Sequence, residues 1–142
     1  MAISQEEKAA ALAVLPLFQG ASEESVARLC AVTGELEYEE GQFIVRQGQV
    51  GSGLYIIVSG GARVVTGSHE LARLGPGDFF GELTVIDQQP RAASVQATSS
   101  TVCLAIASWD LLELLKSDPA LALNLIRGLA ARVREQTEHH RH

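Results

Sequence analysis

Apolar positions along this chain follow three spacings in turn, and the changes between them divide it into helix, strand and helix. Residues 4–33 suit helices. Ser4-Gln-Glu-Glu7 has the form of a capping box, in which a hydroxyl accepts from the backbone three residues on and a carboxylate reaches back. Ala9, Ala10, Leu12, Ala13 and Leu15 follow it. Pro16 ends that helix, because its ring removes a backbone donor and crowds the preceding turn. Ser22 is placed to cap a second helix, with Glu23 and Glu24 in the first turn complementing the helix dipole. Val26, Leu29, Cys30 and Thr33 form its inward side.

Residues 34–107 change to short β-branched and aromatic runs, among them Phe43-Ile44-Val45, Leu54-Tyr55-Ile56-Ile57-Val58 and Arg63-Val64-Val65. Eleven of the 13 glycines fall in this region, at intervals that suit turns. Short strands so punctuated predict a sandwich, barrel or jelly roll. Gly81 to Ile86 lacks the two-residue alternation and reads as one helical turn inserted between strands. From residue 108 the helical spacing returns. Ser108 is expected to cap Trp109 to Leu115, and Asp118-Pro119 joins a capping side chain to a proline at the first helical position. Leu121, Leu125, Leu129 and Val133 then recur every four residues, flanked by Ala122, Ile126 and Ala130, opposite a polar face carrying Arg127, Arg132 and Glu135. This stripe fits either docking on the chain's own strands or pairing with a second copy. The helices are expected to span 108–136, with 137–142 an irregular tail.

A length of 142 residues is one domain, 1–142, large enough to bury a core without metal or disulfides. Net charge is −6, from 11 Lys+Arg against 17 Asp+Glu, the wrong sign for a nucleic-acid surface. An anion would therefore have to be held by a local pocket. Cys30 and Cys103 lie in apolar segments without C-x-x-C spacing, which predicts buried, reduced thiols and a cytoplasmic setting. The N-terminus MAISQEEKAA lacks the features of a signal peptide, and apolar stretches such as Leu54 to Val58 are far too short to span a bilayer. A metal-dependent jelly-roll enzyme needs several histidines and a carboxylate around its ion. Only His69 falls among the strands, while His139, His140 and His142 sit in the tail, so neither an enzyme nor a metal is expected.

The segment Phe80-Gly-Glu-Leu-Thr-Val-Ile-Asp-Gln-Gln-Pro-Arg-Ala-Ala-Ser-Val95 concentrates the candidate chemistry. It sets Glu82 and Arg91 on either side of a short apolar turn, with small residues beside each. Arginine's planar fork donates two parallel, charge-assisted hydrogen bonds to a phosphate. An ionised carboxylate only accepts, and so suits a hydroxyl. Backbone amides at the start of a short helix add an anion nest. Together these suit a small anion that also carries a hydroxyl. A lone Glu or Arg in a polar loop would instead be a solvated surface residue, and Pro90-Arg91 alone only a turn.

The whole run resembles the phosphate-binding cassette of cyclic nucleotide-binding domains, whose pattern is roughly F-G-E-L-(A/S/T)-(L/V)-(I/L)-x(3)-P-R-(A/S/T)-A-(T/S)-V. Pro16-Leu-Phe18, Arg46-Gln-Gly48, Leu54-Tyr-Ile-Ile-Val-Ser-Gly60 and Leu74-Gly-Pro-Gly-Asp-Phe-Phe80 match the framework around it, so the resemblance covers residues 14 to 135. It implies a mainly β fold with flanking helices: an eight-stranded double-stranded β-helix (jelly roll), N-terminal helices, a short cassette helix and two C-terminal helices. It also implies Glu82 on the ribose 2′-hydroxyl, Arg91 and the amides of Leu83 and Ala92 on the phosphate, Gly81 permitting close approach, and Val64 and Leu74 against the base. In this family a hydroxyl residue directly after the phosphate arginine favours cGMP. Here that residue is Ala92, so cAMP is the implied ligand and cGMP the alternative. Gln136 and Thr137 fall where bacterial activators place base-contacting residues, or are solvated tail residues. The implied function is a regulatory module signalling through its C-terminal helices, to an effector or within a homodimer. The alternative is a degenerate roll used only for assembly. The helix-turn-helix of DNA-binding relatives would follow the long helix, and with the sequence stopping before it no nucleic-acid partner is expected of these residues.

Overall fold

A computed structural model describes residues 3–50, 53–81 and 88–139, with side chains described except at 132 and 136–139. Helix α1 (Gln5–Ala13) begins with the expected capping box, Ser4 accepting from the Glu7 amide while the Glu7 carboxylate returns to Ser4. Pro16 opens a 3-10 turn, Pro16–Phe18, which seats Leu17 and Phe18 in the core. Helix α2 (Glu23–Val32) is capped by the Ser22 hydroxyl and buries Ser25, Leu29 and Cys30. Thr33, beyond its end, returns its hydroxyl to the Leu29 carbonyl.

Eight strands follow among the described residues: β1 (Gly34–Tyr38), β2 (Phe43–Val45), β3 (Gly53–Ser59), β4 (Ala62–Thr66), β5 (His69–Leu74), β6 (Phe79–Phe80), β7 (Ser94–Ala97) and β8 (Thr101–Ala107). They form two antiparallel four-stranded sheets, in the orders β1-β8-β3-β6 and β2-β7-β4-β5. This is the predicted jelly roll. The inserted turn expected at Gly81 to Ile86 lies, apart from Gly81, outside the described residues.

The two-residue period of β3 and β8 explains how one sheet serves two cores. Leu54 and Ile56 on β3, with Leu104 and Ile106 on β8, face the helices and meet Leu12, Leu29, Leu111 and Leu121. Tyr55, Ile57 and Cys103 face the inside of the roll and meet Ile44, Val45 and Val95 from the other sheet. Strand β6 divides the same way: Phe79 packs against the helical core and Phe80 against the roll interior. Each fully buried aliphatic side chain contributes about 1.5–3 kcal/mol of transfer free energy, so both cores are needed.

Helix α3 (Ser108–Ser117) differs from expectation at its start. Ala107 is its N-cap and supplies no side-chain hydrogen bond, so Ser108 is the first helical residue. The cause is the ladder: Ala107 still pairs with Gly53, and the chain turns helical directly after that pair. Helix α4 (Pro119–His139) starts as predicted, with the Asp118 carboxylate accepting from the amides of Ala120 and Leu121. It continues through residues 137–139, where the sequence suggests an irregular tail. Nothing in Glu135-Gln-Thr-Glu-His139 breaks a helix, and elongation from a formed helix adds one bond per residue. The apolar stripe is shared between two environments. Leu121 is buried and Leu125 nearly so, whereas Ile126 and Val133 are each 61% exposed. No helix among the described residues is long and apolar enough to cross a membrane.

Candidate functional site

Arg91 is the best-defined part of the candidate site. Its backbone is fixed by the turn that contains Arg46-Gln47-Gly48: the Arg91 amide donates to the Gln49 carbonyl at 2.7 Å, and the Gly48 amide donates to the Arg91 carbonyl at 2.9 Å. Val50 and Pro90 form a β-bridge beside this pair, and the Gln47 amide donates to Ser94 Oγ at 2.8 Å. The Arg-Gln-Gly segment thus positions the Pro-Arg segment. With both ends of the residue tied down, the side chain turns inward and is only 7% exposed.

Its guanidinium lies 5.8 Å above the centre of the Tyr55 ring and donates from Nη2 to the Gly53 carbonyl at 3.3 Å. The aromatic face is electron-rich, and a partly desolvated cation gains from it. Tyr55 also stacks on Phe80, with ring centres 5.2 Å apart and planes 9° from parallel. The two residues face each other across the β3–β6 ladder. Gly81 follows with φ at 101°, in the left-handed region, and a methyl group there would run into the Gly53 carbonyl. Gly53 has no room either, because a methyl would meet the Ile106 carbonyl on β8. Three backbones therefore converge where the 80–91 segment begins.

Of the residues chosen from sequence, Gly81, Arg91, Ala92, Val64 and Leu74 are described, while Glu82 and Leu83 lie outside the described residues. Ala92 is exposed, next to the buried Arg91. Val64 and Leu74 are half-buried and pack against the same interior cluster as Tyr55 and Phe80. They sit on paired strands, with Ala62 opposite Leu74 and Val64 opposite Ala72. Arg91 and the cassette entrance thus meet at Tyr55, and Val64 and Leu74 pack against the interior cluster to which Tyr55 belongs. Gln136 and Thr137 fall on α4, with their side chains outside the described set. Sequence reasoning missed Tyr55 and Gly53. Alternation along Leu54–Val58 does place Tyr55 on the same face as Ile57, but only the tertiary fold places that face under Arg91.

Deeper in the roll, burial pushes the Cys103 thiol up to about 11 and the Tyr38 phenol up to about 12, the latter helped by Tyr55 and Cys103 nearby. Both stay neutral at physiological pH, which leaves Arg91 as the charged group of the described interior. Both Cys30 and Cys103 are free thiols. Among the described residues no group of three or more His, Cys, Asp or Glu is placed to hold a metal ion.

On the far side of the sheet, α2 meets the joint between α3 and α4. Ser25 Oγ donates to the Asp118 carboxylate at 2.5 Å, and Arg28 Nη1 donates to Ser117 Oγ at 3.3 Å. The Ser25 hydrogen bond is the main cause holding the Asp118 carboxyl below its usual range, with the Ala120 and Leu121 amides and Arg28 adding to it. A cavity of about 270 Å³ lies between α4 and the Pro16 turn, lined by Leu17, Phe79, Leu125 and Leu129.

The family model of the cyclic nucleotide-binding domain matches residues 35–118. Among individual proteins, the chain is 38% identical over 125 residues to the cyclic AMP receptor protein of Thermus thermophilus, covering 84% of this chain and 58% of that one. It is 42% identical over 69 residues to a cGMP-dependent protein kinase of Toxoplasma gondii, covering 49% of this chain and 7% of the kinase. Among solved structures, the N-terminal domain of a transcriptional regulator from Streptomyces coelicolor superposes with a TM-score of 0.76 at 30% identity. That match covers 91% of this chain and 94% of the other. The chain therefore spans little more than half of the Thermus relative.

Proposed function

Because this chain belongs to the cyclic nucleotide-binding domain family, we propose that it is a regulatory module that binds cAMP in the roll and relays occupancy through its C-terminal helices. In this reading Arg91, with the amides of Leu83 and Ala92, holds the phosphate. Glu82 accepts from the ribose 2′-hydroxyl, and Val64 and Leu74 line the base. Gly81 lets the backbone come close to the ligand. The module itself carries no catalysis, and its two buried thiols suit a reducing, cytoplasmic setting.

The observation that carries the reading is the inward-turned, buried guanidinium of Arg91, set over the Tyr55 ring beside the cassette entrance. A planar cation there matches a phosphodiester, and the neighbouring apolar surface matches a flat base. Ala92 in place of a hydroxyl residue supports cAMP, as does likeness to a relative named for cyclic AMP. Likeness to a kinase named for cGMP makes cGMP the competitor to test. The exposed half of α4, with Ile126 and Val133, is the surface offered to an effector or a second copy. Occupancy can shift the helices only by the difference in its affinity for their two arrangements.

Calorimetric titration with cAMP and cGMP tests this. cAMP should bind more tightly, and Arg91→Ala should cost about 2–5 kcal/mol, or roughly 30- to several-thousand-fold in affinity. Equal binding by parent and variant would remove Arg91 from the site. No binding of either nucleotide at roughly millimolar concentration, a free energy weaker than about −4 kcal/mol, would favour a roll used only for assembly.

A further inference from the structure

We propose that Tyr55 is a positioning residue for the phosphate-binding arginine, an inference that rests on the ligand reading above. Three observations converge on its ring. The Arg91 guanidinium lies over it, Phe80 stacks on it, and its backbone partners across the sheet are Phe80 and Ala105. Phe80 immediately precedes the cassette and Arg91 closes it, so one side chain on a central strand touches both ends of an excursion of ten residues, 81 to 90.

The physical argument concerns what a buried arginine needs. A flexible four-torsion side chain loses rotamer freedom when it grips a ligand, and that loss subtracts from affinity. An aromatic face under the guanidinium restricts it to one plane before the ligand arrives. The Gly53 carbonyl, a neutral acceptor at 3.3 Å, complements this hold at Nη2. Strand β3 is the right place for such a platform, since it lies between β8 and β6 and pairs with both. A ring fixed there cannot drift with the loops. Tyr55 is also 9% exposed, so the ring itself is held by the surrounding core.

The experiment compares Tyr55→Leu, which removes the aromatic face, with Tyr55→Phe, which keeps it. Tyr55→Leu should weaken cAMP binding on the order of tenfold, and Tyr55→Phe should restore it to within about twofold of the parent. On an Arg91→Ala background, Tyr55→Leu should cost nothing further, because the group it positions is gone. A second measurement needs no nucleotide. In the free protein the Arg91 side-chain Nε proton should show an upfield ring-current shift, kept in Tyr55→Phe and lost in Tyr55→Leu. Should Tyr55→Leu fail to fold, an Arg91 proton in the parent at the position of a solvated arginine would still overturn the assignment. Parent-like affinity in Tyr55→Leu overturns this inference alone. A parent that binds no cyclic nucleotide overturns the ligand reading and this inference with it.

Discussion

Gly81 must satisfy two demands that a larger residue fails together. Its backbone sits at a φ of 101°, and its α-carbon lies against the Gly53 carbonyl. Gly81→Ala should therefore lower unfolding stability by about 1–3 kcal/mol, read as a drop in the urea midpoint. An unchanged midpoint would mean that the β3–cassette approach is looser than described. The same residue shows what was readable in advance. A glycine before Glu82 is visible in the sequence, and so is the chemistry of a guanidinium ten positions later. That Gly53, on another strand, forces the choice is not visible, because the contact joins positions far apart in sequence. Tyr55 is the same case: its face follows from alternation, its partner does not.

At the scale of elements, the join between α3 and α4 depends on Asp118. Its carboxylate caps α4 through the Ala120 and Leu121 amides and is held to α2 by Ser25. Its folded pKa is depressed, chiefly by the Ser25 hydrogen bond. The stabilisation is therefore fully present above the unfolded carboxylate value, about 4, and is lost as pH falls through the lower folded value. Asp118→Asn should lower Tm at neutral pH and flatten the loss of stability of the parent in that acid range. Thermal melts of parent and variant across the acid range check both, and parallel curves would count against the latch. The caps at Ser4, Ser22 and Asp118 were legible because a capping side chain acts on amides two or three residues away. The start of α3 was not, because Ala107 is held by strand pairing with Gly53, a long-range contact that outweighs the better capping chemistry of Ser108. Helix α4 runs through His139 although apolar periodicity has ceased, since that loss marks where burial ends and not where a helix must stop.

For the whole molecule, net charge and proposed ligand have the same sign. A chain at −6 repels an anion at a distance, while the buried Arg91 acts at contact. Salt screens the distant repulsion, over a Debye length of about 10 Å at 0.1 M, more than it screens a buried contact. Association of cAMP should therefore quicken as ionic strength rises, as stopped-flow kinetics would show. A rate that falls with salt would indicate a basic approach path. The division of burial along α4 then acquires a mechanical meaning. Its first turns are clamped at Asp118 and by Leu121 and Leu125, while the Ile126 and Val133 side chains beyond them face solvent. Twenty-one residues at 1.5 Å each make a rod about 30 Å long, so a tilt of about 10° at the clamped end sweeps the other end through about 5 Å. In the proposed relay, a displacement too small to see at the pivot would reach the tip as a shift wide enough for a neighbouring surface to read.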